Sequence, residues 1–85
     1  MEYSLTVQSD KDCDQVYIHG CPAGLRFLAK RLEAIAASAE KHGHAHNHLM
    51  TEDWGGHELS NELRGGHESS KLINHLVVYG WSAAA

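Results

Sequence analysis

The sequence predicts an α+β domain: a small, mostly antiparallel sheet of about four or five strands with one helix on one face, in the order β-β-α-β-(β)-β. Three observations lead there. Two segments near the start alternate in the manner of strands and an apolar segment near the end reads as a third strand, a single apolar stripe at helical spacing lies between them, and 85 residues suffice for one domain.

The first strand is Tyr3-Ser4-Leu5-Thr6-Val7-Gln8. Its alternation points Tyr3, Leu5 and Val7 to a core and Ser4, Thr6 and Gln8 outward. Ser9-Asp10-Lys11-Asp12 reads as a turn, and the β-branched segment Gln15 to His19 as a second strand, so the two most simply form a hairpin. Gly20-Cys21-Pro22 breaks the strand, and Pro22 suits the first turn of a helix, where a missing N–H costs nothing. Leu25, Leu28, Ala29, Leu32, Ile35, Ala36 and Ala39 then recur every three or four residues, predicting a helix over about 23–41. Lys41 and His42 suit its negative end, and Gly43 its left-handed cap.

Beyond Gly43 the pattern is weaker. Ala45 to Met50 reads as a short strand carrying His44, His46 and His48 on one face, and Thr51 to Gly56 as a loop. His57 to Leu63 reads as a short strand or as irregular chain, and Arg64 to Ser70 as a second turn that echoes Gly55-Gly56-His57-Glu58. Leu72 to Tyr79 is the clearest strand. Val77 and Tyr79 share one face, and Leu76 and Val78 the other; apolar residues on both faces predict a central strand. The domain is expected to span residues 1–81, with 82–85 as a disordered tail.

Composition narrows the function classes. The chain carries 11 acidic and 7 basic residues, a net charge of -4, which argues against nucleic acid as a partner and suits a basic protein. Eight histidines would reverse much of that acidity once charged. No apolar run approaches the roughly 18 residues that cross a bilayer, and MEYSLTVQSDKD lacks the features of a secretion signal, so a cytoplasmic location without membrane association is expected. Cys13 and Cys21 are expected to be reduced.

The most concentrated chemistry lies in HGHAHNHLMTEDWGGHEL, residues 42–59. Imidazole is a common ligand for zinc, nickel and copper, and alternate residues of a strand share a face at about 6.5–7 Å. His44, His46, His48 and His57 are therefore candidate metal ligands, although no Cys-x-x-Cys spacing accompanies them. The competing reading is a solvated histidine loop that binds ions adventitiously. Trp54, beside Gly55 and Gly56, is either an interface anchor or a ring that closes the domain's own core. Glu52 and Asp53 read as solvated turn acids that can also attract a basic partner, and Asp10, Asp12 and Asp14 lack the glycine and terminal glutamate of a calcium loop. Cys21 at a helix N-terminus with His19 nearby allows a thiol nucleophile, but no oxyanion hole or orienting third group accompanies the pair, and a capping role is the simpler reading.

Several segments in order resemble the Immunity protein 32 family of bacterial polymorphic-toxin systems. They are Val16-Tyr17-Ile18-His19-Gly20; Pro22-x-Gly24-Leu25-x-x-Leu28-Ala29; His48-Leu49-Met50-Thr51-x-x-Trp54-Gly55-Gly56-x-Glu58-Leu59-Ser60; and Leu76-x-Val78-Tyr79-Gly80-Trp81. The resemblance implies a small α+β protein that neutralises a toxin made by the same cell, acting as a stoichiometric inhibitor and not as an enzyme, without a cofactor. On this reading Trp54, His48, Glu52, Asp53 and His57 form the contact with a basic toxin domain, and a histidine-rich metal-binding domain, for example for zinc, is the alternative. The toxin, the contacting surface and the oligomeric state are left open by the sequence.

Overall fold

A computed structural model of the chain describes residues 3–64 and 70–82. The element order is β1 (Leu5–Ser9), β2 (Val16–Gly20), α1 (Pro22–His42), β3 (His44–Met50), β4 (Lys71–Leu72) and β5 (His75–Trp81), with a 3-10 turn at Glu52–Trp54. The architecture is α+β, with every strand pairing antiparallel. The strands divide between two sheets, one in the order β2-β1-β4 and one pairing β3 with β5.

The expected hairpin is β1–β2, in register from Leu5 opposite Gly20 to Ser9 opposite Val16. Its turn is organised by Asp10, whose Oδ1 accepts from the amides of Asp14 at 2.8 Å and Gln15 at 3.2 Å. Cys13 takes the left-handed conformation (φ 61°) that the tight turn requires.

β1 is the central strand, and all five of its residues are buried. This corrects the outward placement of Thr6 and Gln8. Leu5 and Val7 enter the core with Leu49 and Leu59, and Tyr3, Phe27, Leu28, Ile73, Leu76 and Val78 pack around that cluster. Thr6 and Gln8 are covered on the opposite face by the segment after Leu59. Thr6 Oγ1 donates to Glu62 O at 3.0 Å, Gln8 Nε2 to Arg64 O at 3.4 Å, and Arg64 N donates to Gln8 Oε1 at 3.0 Å. Thr6 and Gln8 thus keep partners, which makes their burial tolerable, whereas Ser9 Oγ is buried without one among the described residues. Residues 57–63 take the irregular alternative, touching strand geometry at one parallel bridge between Thr51 and Leu59. Gly65 to Ser69, including the second glycine-glycine-histidine echo, lie outside the described residues, as do Ala83 to Ala85 of the expected tail. The Ser82 amide continues the ladder by donating to Gly43 O at 3.0 Å.

The helix matches its expected limits. Gly43 closes it with φ 89°, its amide donating to Ala39 O at 2.8 Å. The buried line differs from the full apolar stripe, comprising Gly24, Ile35 and Ala39, with Phe27 and Leu28 half-buried. Leu25 and Leu32 remain 46% and 44% exposed, Leu25 lying beside Gly20 of β2 and Leu32 along the groove between the helix and β5. Nor is the last strand central: it is interrupted at Ile73-Asn74, where the chain leaves one sheet for the other, and among the described residues β5 pairs on one side alone. Helix α1 covers the face of β5 bearing Leu76, Val78 and Gly80. The face bearing Tyr79 is open, with Tyr79 65% exposed.

Two substitutions test this packing. A Cβ on Gly24 would lie 2.0 Å from Ser4 O and 2.9 Å from Ser4 C. Gly24→Ala should therefore cost at least about 3 kcal/mol in urea unfolding, although alanine is the better helix former. Gln8→Ala strips the partners from Arg64 and should cost about 2 kcal/mol or more in the same measurement.

Candidate functional site

β3 alternates strictly between two faces. Ala45, Asn47 and Leu49 turn toward the helix; Asn47 Oδ1 accepts from Arg31 Nη1 at 2.8 Å, and Leu49 is fully buried. His44, His46, His48 and Met50 turn the other way. The register sets them opposite Trp81, Tyr79, Val77 and His75 respectively. Histidines and aromatic residues are thereby gathered on the face of the β3–β5 sheet away from the helix, as the spacing of His44, His46 and His48 predicts.

The rings form a continuous run. Tyr79 stacks on His46 (centroids 5.2 Å, planes 24° apart), and His46 meets His48 edge to face (5.2 Å, 84°). His48 Nδ1 lies 2.7 Å from His75 Nε2. Their centroids are 5.0 Å apart, which is that nitrogen–nitrogen distance plus the two ring radii, and their planes are 21° apart. The two imidazoles are therefore joined edge to edge by a hydrogen bond in which one ring donates and the other accepts. Trp54 continues the run, its ring 6.1 Å from that of His75. His75 is the member that sequence reasoning missed. Its alternation with Val77 and Tyr79 was legible, but the register that brings it opposite Met50 was not.

Trp54 is held outward by a rigid turn. The amides of Trp54 and Gly56 donate to Thr51 O, and that of Gly55 to Glu52 O. Thr51 is fully buried and fastened to Asn74 twice, through its amide (3.0 Å) and its hydroxyl (2.7 Å). Gly55 has φ 88°, and a Cβ on Gly56 would lie 2.5 Å from Met50 O, so both glycines are required by the backbone. The indole remains 56% exposed, which excludes its closing the core. Glu52, Asp53 and His57 are exposed along the same turn. Glu58, by contrast, is structural: its carboxylate accepts from Met50 N at 3.0 Å and its carbonyl from Tyr3 Oη at 3.0 Å.

Of the candidate metal ligands, His44, His46 and His48 share the face, while His57 makes no ring or hydrogen-bond contact with them among the described residues. No group of three or more histidine, cysteine, aspartate or glutamate side chains is placed to hold an ion among the described residues. Two nitrogens on one tetrahedral zinc, each at about 2.0–2.1 Å, stand roughly 3.3 Å apart. The His48–His75 contact at 2.7 Å is closer than that, the spacing of a direct hydrogen bond.

Cys21 serves as the helix cap. Its Sγ accepts from Ser4 N at 3.3 Å and Gly24 N at 3.4 Å, and these amides, Ser4 first, hold the thiol below its ordinary range. His19, Cys21, Ser4, Gly20 and Arg64 line an open depression there. No helix of the described residues is long and apolar enough to cross a membrane.

Residues 15–77, well over half of the chain, match the sequence model of the family Immunity protein 32. The chain belongs to the Immunity protein 32 family. Neither the curated proteins nor the solved structures contain a match. The matched region runs from the start of β2 into β5 and includes the helix, β3 and the Trp54 turn. Family membership supports an immunity-type role with a protein partner.

The His48–His75 bond has a direct signature. Nitrogen-15 NMR at neutral pH should find one proton shared between His48 Nδ1 and His75 Nε2, with one nitrogen protonated and the other not. His75→Ala should abolish that pattern while leaving the fold intact.

Proposed function

We propose that this protein is an immunity protein that binds a toxin domain and blocks it by stoichiometric association, without catalysis. The contact is made by Trp54, His48, Glu52, Asp53 and His57, with His75 linking Trp54 to the strand face. The observation that carries this reading is the exposed ring run from Tyr79 to Trp54, ending beside two acidic side chains on a turn fastened to the core. Aromatic side chains on a pre-ordered backbone bind with little further loss of conformational freedom, as hot-spot residues do.

The partner's chemistry follows from charge. Glu52 and Asp53 are exposed next to Trp54, and the whole chain carries -4. A toxin presenting lysine or arginine around an apolar pocket meets both features, and the acidic field speeds its approach at low salt. The expected location is the cytoplasm of the toxin-producing cell, where such an inhibitor is needed.

The test is capture of the toxin from the native host, followed by calorimetric titration with wild-type and variant proteins. Wild type should bind one to one, with chelator making no difference. Trp54→Ala, still folded by circular dichroism, should lose about 2 kcal/mol or more, roughly thirtyfold in Kd. Glu52→Gln with Asp53→Asn should slow association and flatten its salt dependence. Unchanged affinity in a folded Trp54→Ala protein rejects the assignment of this face.

A further inference from the structure

Among the described residues β2 and β5 each keep one edge without a strand partner, and that of β5 is the longer, at seven residues against five. Beyond the β3–β5 ladder, Thr51 N donates to Asn74 O at one end and Ser82 N donates to Gly43 O at the other. Both pairs continue the register that sets Met50 opposite His75 and His44 opposite Trp81. In an antiparallel ladder the hydrogen-bonded positions alternate. The even-numbered residues Leu76, Val78 and Gly80 therefore direct their amides and carbonyls at β3. His75, Val77, Tyr79 and Trp81 direct theirs away from it, and among the described residues these groups meet no partner. The outer edge of β3 is occupied at its Met50 end, where the Met50 carbonyl accepts from Glu58 N and Leu59 N.

A seven-residue edge needs protection against pairing, and proteins supply it with lysine, proline, inward charges or bulges. β5 has none of these: residues 72–82 contain no aspartate, glutamate, lysine, arginine or proline. Apolar surface borders the same edge. Tyr79 and Trp81 are 65% and 70% exposed on the outer face. On the helix side an open groove of about 370 Å³ is lined by Leu32, Ile35, Ala36, Ala39, Val78 and Gly80, and among the described residues Glu40 is its one charged lining residue.

We infer that the β5 edge pairs with the β5 edge of a second copy of this chain, giving a symmetric dimer with a continuous four-stranded sheet. The sequence of the edge is complementary to itself. With a two-fold axis at Val78, His75 meets the second copy's Trp81 and Val77 meets the second copy's Tyr79. All four outward-facing residues of each strand are then hydrogen-bonded, with none left over. Cross-strand pairs of this kind, aromatic against β-branched, are favourable ones. Charge permits it as well: two chains of net -4 repel at a distance, but they meet at the segment where neither carries a formal charge. The two α1 helices come side by side on one face of the sheet, covering the half-exposed Leu32 and the groove. This inference goes beyond the toxin-binding reading and stands or falls without it. The histidine faces of the two copies would join into one surface.

Sedimentation across a range of concentrations, with amide hydrogen exchange of the same samples, tests the inference on the purified chain alone. Wild type should sediment as a dimer, with the amides of Val77 and Tyr79 as protected as those of Leu76, Val78 and Gly80. Val77→Pro removes an outward donor while sparing the ladder to β3, and Val77→Lys places a charge on the edge. Either variant should be folded and monomeric, and in Val77→Lys the Tyr79 amide should exchange freely; if the proline variant fails to fold, the lysine variant decides. A wild type that is monomeric at every concentration overturns the inference, including one whose Val77 and Tyr79 amides gain protection only when toxin is added. A dimer in which these amides exchange freely, or folded variants that still dimerise, overturn it too.

Discussion

The rest of the structure depends on the burial of β1 on both faces. A strand with Leu5 and Val7 on one side and Thr6 and Gln8 on the other would ordinarily lie at a surface. Here the polar side is closed by chain from more than fifty residues later. Ser60 bonds the Leu5 backbone through both its amide and its hydroxyl, Glu62 takes the Thr6 hydroxyl, and Arg64 exchanges two bonds with the Gln8 amide. Ile73 N then donates to Val7 O, and β4 adds to the same strand. An unpartnered buried amide or hydroxyl costs more than a formed bond gains, so at Leu5, Thr6 and Gln8 this closure is all or nothing.

That closure determines where the candidate contact face lies. Leu59 is fully buried beside Leu5 and Val7 and holds one end of the turn that carries Trp54, while Asn74 holds the other through Thr51. The same return of the chain to β1 launches β5 across to its pairing with β3. The ring run from Tyr79 through His46, His48 and His75 to Trp54 is thus assembled from three separate segments whose relative placement goes back to β1. The turn glycines serve that geometry. Gly56 lets the chain pass against Met50 O, and Gly55 takes the positive φ that ends the short helical turn after Trp54.

Local signals were legible wherever the governing interactions are local. Asp10 shaping its turn, Cys21 and Pro22 opening the helix, Gly43 closing it, and His44, His46 and His48 sharing a face all follow from spacing over a few residues. The family's ordered motifs were legible in the same way. The division into two sheets was not, because a two-residue step at Ile73-Asn74 carries no periodicity of its own. The last strand suggested a central position because both its faces are apolar, yet one of them lies open. Leu25 and Leu32 belonged to a convincing stripe but remain nearly half exposed.

The amino-acid sequence by itself determined β1, β2, the helix and β3 in their order, the helix limits, the hairpin and the facing of the histidine strand, since backbone preference and side-chain alternation act along the chain. Tertiary structure alone decided that Thr6 and Gln8 are interior, that Trp54 points to solvent, that His75 joins His48, and that β5 pairs with β3 and with no second strand among the described residues. Each of these depends on which distant segment arrives at a given face, and residue spacing within one segment carries no information about that arrival.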